Sequence, residues 1–180
     1  AAVSVLNRVV SEFGLQRPHR ILQEVSRIVQ NMLGNQKTCR FSEDGLDMAL
    51  CTYQRSCSTL FFAGARLGLL YENDGRLLEI KGDKQSLGYR SSNPDYPFQT
   101  HTIAVEKPLR VYLATDGTFD QIAENTGLPV GKRRIRDFLS RICKDPMDAQ
   151  KQSLANMMEE FQGSEEQRDD ITVVGLHLKA

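Results

Sequence analysis

"VYLATDGTF", Val111–Phe119, runs apolar up to Thr115 and then presents an acid followed by a glycine. A strand of this kind is buried, so its ending in Asp116-Gly117 has two readings. Asp-Gly is most often a plain turn. It is also a means of holding a carboxylate ligand at a strand end, and that reading requires a second carboxylate elsewhere in the chain.

The partner is found near the other end of the sequence. "RDDITVVGL", Arg168–Leu176, sets Asp169 and Asp170 immediately before the last apolar run. If the two strands are antiparallel neighbours, the acid ending one lies beside the acids opening the other. Hard oxygen donors gathered in this way suit Mg²⁺ or Mn²⁺.

Outward from these strands, the layout is two helices, several short β-favouring runs, two more helices and one strand. Ala2, Val3, Leu6, Val9, Val10 and Phe13 share one helical face; Ile21, Leu22, Val25, Ile28, Val29, Met32 and Leu33 share another. "KTCRFSEDGL" reads as a polar loop. Strands are expected within "LDMALCTYQ", "STLFFAGARLGLLYEND", "RLLEIKGD" and "FQTHTIAVEK", with Asn73-Asp74-Gly75 as a hairpin turn. "GKRRIRDFLSRIC" is a helix with Ile135, Phe138, Leu139 and Ile142 on one side, and Asp145-Pro146 reads as an N-cap opening the next. "ITVVGLHL" is apolar on both faces and is expected to be central in its sheet. The order is α+β rather than an alternating α/β pattern.

Composition sets the outer bounds. The chain has 180 residues, 40% hydrophobic and 26% charged, with 23 basic and 23 acidic residues. That is ordinary globular composition, and no global field argues for nucleic acid or an anionic membrane. No apolar run approaches a membrane span, and the opening residues do not read as a signal-peptide pattern. Cys39, Cys51, Cys57 and Cys143 form no Cys-x-x-Cys pair, so reduced thiols in the cytoplasm are the expectation. A membrane anchor upstream in a longer parent protein remains compatible with that.

"LATDGTFDQ", followed by two helices and "DDITVVGLHL", resembles the metal-dependent serine/threonine phosphatases of the PPM (type 2C) superfamily, in the bacterial branch of sporulation stage II protein E. "EDGLDMALCTY", "LFFAGARLGLLY" and "GDKQSLGY" resemble further segments of that branch, and the likeness runs from Val3 onward. The resemblance implies a single domain over residues 1–180: an antiparallel β-sandwich flanked by helices, with a two-metal Mn²⁺ or Mg²⁺ site at one edge. It places Asp116, Gly117 and Asp169 at metal positions, Asp116 and Asp169 as the catalytic pair, and Asp170 behind them. It implies water as the nucleophile, activated by the ions, with no covalent phosphoenzyme. The implied substrate is a phosphoserine or phosphothreonine protein, usually a STAS-type anti-sigma-factor antagonist in partner-switching signalling.

The sequence departs from the pattern at its start. The branch's first metal motif, an Asp with a Gly-rich loop, is missing, and the chain opens at Ala1 without Met. It reads as the C-terminal part of a longer protein with an upstream sensor or regulatory domain. Either the sequence was cut there or the metal site was lost naturally, leaving a non-catalytic binding module. Loss of the first strands would expose a sheet edge able to pair with a second copy as a homodimer; a clean monomer on sedimentation at high concentration would exclude that. The opening helices are expected to cover a sheet face, or to relay control from an upstream domain.

The remaining motifs have plain readings. "KRRIR", Lys132–Arg136, reads as a solvated helix N-terminal face rather than a phosphate or nucleic-acid patch, with docking of an acidic partner as a further possibility. "AGARLG" is a bulge or tight turn rather than a dinucleotide loop, and "GLPVGK" lacks P-loop spacing. His177 is expected to pack and His101 to be exposed.

Overall fold

The computed structural model describes residues 7, 9–11, 17–34 and 45–179. The chain forms two compact units, one from Ala1–Gly68 with Ile80–Glu106 and one from Leu69–Glu79 with Lys107–Ala180. Both combine helices with an antiparallel sheet, the expected α+β class.

In the first unit, helix α1 (Pro18–Gly34) covers a sheet of β1 (Met48–Gln54), β2 (Thr59–Ala65) and β5 (His101–Ala104), in the order β1-β2-β5. Ile21, Leu22 and Val25 fall on one side of the helix because their spacing follows its turn, and they pack with Val9, Ala63, Ala65, Leu87 and Phe98. Burying each such branched side chain is worth roughly 2 kcal/mol. Polar groups fix the helix against the following loop: Gln30 Nε2 donates to the carbonyls of Tyr89 and Ser92, and Ser26 Oγ accepts the Gly88 N–H. Most of the opening helix (1–6, 8 and 12–16) and of the polar loop (35–44), Cys39 included, lies outside the described residues; Val9–Ser11 are helical.

In the second unit the sheet order is β4-β3-β6-β7, from β3 (Leu69–Asn73), β4 (Arg76–Ile80), β6 (Leu109–Ala114) and β7 (Val173–Leu178). The expected hairpin joins β3 to β4, with Asp74 at φ 51° and Gly75 at φ 80°. Two successive left-handed residues make the turn whose twist suits adjacent strands. A short helix α2 (Gly117–Asp120) follows β6, and α3 (Gly131–Ile142) and α4 (Met147–Gln162) complete the unit. Ile135, Leu139, Val130, Leu77, Tyr112 and Met158 form its core.

Several expectations need correction. β7 pairs with β6 alone among the described residues, so it is an edge strand, and its Val174 and Leu176 are 44% and 38% exposed. The central position belongs to β6, which carries β3 on one side and β7 on the other. Asp145 does not cap α4: Pro146 is the cap residue, no side chain caps the helix, and the Asp145 carbonyl accepts from Gln150 Nε2. His177 is exposed opposite Arg110 rather than packed. His101 is half-buried, its ring 6.2 Å from that of Phe62. Within "AGARLG" the strand β2 ends at Ala65 and the chain bends at Arg66, which has φ 66°. Cys51, Cys57 and Cys143 are free thiols.

Candidate metal centre

Strand pairing decides where the acids meet. β6 and β7 run antiparallel from Leu109↔Leu178 to Ala114↔Val173. The residues just beyond that last pair are Thr115-Asp116 on one chain segment and Asp169-Asp170-Ile171-Thr172 on the other. The ladder continues into them, since the Thr115 N–H donates to the Thr172 carbonyl at 3.0 Å.

The Thr115 hydroxyl binds the two segments together a second time. It donates to the Asp170 carbonyl at 2.9 Å and accepts the Thr172 N–H at 2.9 Å. One side chain thereby serves both a donor and an acceptor that the end of the ladder would leave to water. Thr118, fully buried, adds a longer contact of 3.5 Å to the Thr172 carbonyl.

Asp116 caps the short helix: its Oδ1 accepts the Gly117 N–H at 3.0 Å, while its carbonyl accepts from Phe119 and Asp120. Asp169 Oδ1 accepts the Asp170 N–H at 2.7 Å, and its carbonyl is held by Gln167 Nε2. Asp116, Asp169 and Asp170 are all exposed, and among the described residues none of them is ion-paired.

Gly117 is needed for closeness rather than for backbone freedom. A Cβ there would lie 2.6 Å from the Asp170 carbonyl oxygen and 3.2 Å from the Asp169 carbonyl carbon. Any side chain would wedge the two acid-bearing segments apart. A further tie comes from buried Gln121, whose amide donates to the carbonyls of Ile122 and Glu166 and so joins the end of α2 to the loop leading into Asp169.

The structure thus gathers Asp116, Gly117, Asp169 and Asp170 at one end of one strand pair. The roles of Thr115 and Gln121 escaped the sequence reading; a hydroxyl residue just before the acid was the available signal. The donors, carboxylate and carbonyl oxygens, are of the kind a hard divalent cation takes. They fit in chemistry but are few in number: among the described residues, no three His, Cys, Asp or Glu side chains converge to hold an ion.

Comparison with solved structures places the fold. The SiaA-PP2C domain of Pseudomonas aeruginosa is 27% identical, with a TM-score of 0.85 over 99% of this chain and 68% of that one. The RsbU and RsbW domains of Rv1364c from Mycobacterium tuberculosis share the fold at 14% identity and TM-score 0.72, over 97% of this chain and 45% of that one. RsbX, in a structure with magnesium, does so at 16% identity and TM-score 0.59, over 98% of this chain and 73% of that one. No curated protein matches the chain. The fold is that of the PPM phosphatase domains, and the model of one family among them, stage II sporulation protein E (SpoIIE), matches residues 1–179. It is to that family that the chain belongs.

Proposed function

We propose that the chain is a metal-dependent protein serine/threonine phosphatase domain that hydrolyses phosphoserine or phosphothreonine on a partner protein, a STAS-type anti-sigma-factor antagonist in partner-switching signalling. The observation that carries this reading is the β6–β7 register, which brings Asp116 and Asp169 to one strand end, with the Thr115 hydroxyl tied to the Asp170 carbonyl and the Thr172 N–H beside them. Asp116 and Asp169 would hold Mn²⁺ or Mg²⁺, with the Gly117 backbone beside them and Asp170 orienting the Asp169 segment. When bound, such ions lower the pKa of water and neutralise charge on a phosphoryl group.

The chain's own residues supply placement. Gly117 lets the two acid-bearing segments approach, and Thr115 and Gln121 hold them in register, so that the carboxylates are set before an ion arrives. Exposure of all three acids leaves the site open to a protein-borne phosphate.

The second reading is a PPM-like binding module without catalysis, favoured by the absence of a three-ligand cluster among the described residues. Mn²⁺ titration by calorimetry, paired with phosphate release from a phosphoserine peptide, separates the two. Saturable binding and turnover that both disappear in Asp116→Asn and Asp169→Asn support the phosphatase. Turnover retained in both variants overturns the assignment of these acids. Peptide binding with no metal response selects the binding module.

A further inference from the structure

Helix α3 carries Lys132, Arg133, Arg134, Arg136 and Arg141 against a single acid, Asp137, in a chain whose net charge is zero. Solvation alone accounts for scattered charges, but these are clustered and partly fixed. The Arg134 guanidinium lies 4.8 Å over the Phe161 ring, Arg141 5.6 Å over Phe138, and Lys132 Nζ 5.4 Å over Phe119. Stacking of this kind orients a cation without neutralising it. Arg133 is 90% exposed and meets Asp137 only at 3.7 Å. Val130, Arg133, Arg134, Asp137, Ser140 and Arg141 together line one open face of the helix.

The position of this face gives it a direction. Phe119, which Lys132 covers, belongs to the short helix that Asp116 opens. The basic strip therefore begins beside the carboxylate end of the β6–β7 pair and leads away along α3. Asp116, Asp120, Asp169 and Asp170 at that end repel any anionic partner until cations are bound; the strip supplies attraction outside that zone.

We propose that the arginine face of α3 docks an acidic segment of the phosphorylated partner protein, steering its phosphate toward Asp116 and Asp169. This rests on the phosphatase reading of that site. Charge complementarity restricts the occupant to an anionic one: arginine forks match carboxylates, and the partner's own phosphate, in bidentate geometry. A nucleic acid fits less well, because the neighbouring phenylalanine rings are covered by cations rather than offered for base stacking. Rim charges of this kind act mainly on encounter rate and salt dependence.

The test is fluorescence anisotropy of a labelled acidic peptide, rich in Asp and Glu with a central phosphoserine, in metal-free buffer. The expected result is saturable binding that weakens from about 50 to about 200 mM salt. R133E/R134E should weaken it at least ~10-fold, and K81E/K84E, a pair of exposed lysines in the other unit, less than ~2-fold. R133Q/R134Q keeps the aliphatic stems in place and should cost about 3-fold, which covers the case in which the reversal fails to fold. Equal losses in both reversals, no loss in either, or no saturable binding overturns the proposal. Tighter binding of a single-stranded oligonucleotide of equal charge overturns it in favour of nucleic acid. Because no metal is present, failure of hydrolysis leaves this result standing. Conversely, turnover of a phosphoprotein with KM unchanged in R133E/R134E removes the docking face alone.

Discussion

Replacing Thr115 with valine tests the link between strand register and site. Valine fills almost the same volume, so the cavity contribution is small and the loss is polar. The hydroxyl's two hydrogen bonds, each 2.9 Å, disappear together. Each is worth about 1 kcal/mol net, and an N–H left without a partner costs more. Thr172 is exposed, so water takes up part of that debt, and a total of about 1–2 kcal/mol is expected. With a urea slope of about 2 kcal/mol/M, the unfolding midpoint should fall by roughly 0.5–1 M, read by far-UV circular dichroism. Thr115→Ser keeps the hydroxyl and should recover most of the loss. Mn²⁺ affinity should fall in the valine variant and return in the serine variant. Equal midpoints for the valine and serine variants would refute the bridging role.

Gly117→Ala puts a methyl 2.6 Å from a backbone carbonyl that cannot swing aside, and should cost about 1–3 kcal/mol in urea unfolding while weakening Mn²⁺ binding; a neutral result would mean that the two acid segments are not held in contact. Burial, with a smaller push from Cys143, raises the Tyr112 hydroxyl to about 12 from an ordinary 10.0, so folding holds its proton more tightly than the unfolded chain does. Stability should therefore be whole below pH 10 and decline between about 10 and 12; that decline should be shallower in Tyr112→Phe, as measured by urea midpoints across the range. His19 is shifted the other way, below 6.5, by burial first and then by Arg20 and Arg17. Its contribution is present above pH 6.5 and lost on acidification, so His19→Gln should flatten the stability profile between pH 7 and pH 5.

The parts of the fold legible in the sequence were those with local causes. Asn73-Asp74-Gly75 declares its turn because two consecutive left-handed residues suit those side chains. The α1 and α3 stripes follow helical spacing, and Ile135 and Leu139 are buried as expected. Asp116 and Asp169 were legible as a pair because each stands at the end of an apolar run. What stayed hidden depends on neighbours distant in sequence. "ITVVGLHL" declares that β7 is apolar but not how many strands flank it, so an edge strand read as a central one. His177 opposite Arg110 and the contact of Gly117 with the Asp170 carbonyl are consequences of register. The bridging hydroxyl of Thr115 exists only once β6 and β7 are aligned.

The edge position of β7 makes the site's integrity separable from that of the rest of its unit. Among the described residues β6 is the one strand neighbour of β7, so peeling from its far end, Leu178, breaks no pairing of β3 or β4 and gives up only its packing on Met147 and Tyr112. Asp169 and Asp170 sit at the opposite end, beside the Thr115 bridge, so peeling that reaches them parts them from Asp116. Any ion held jointly by both segments would act as a clasp on the strand, stabilising its closed form by an amount that grows with the logarithm of its concentration. Amide exchange along β7 would then report metal occupancy directly: slow near Val173 when an ion is held, fast throughout when it is withdrawn.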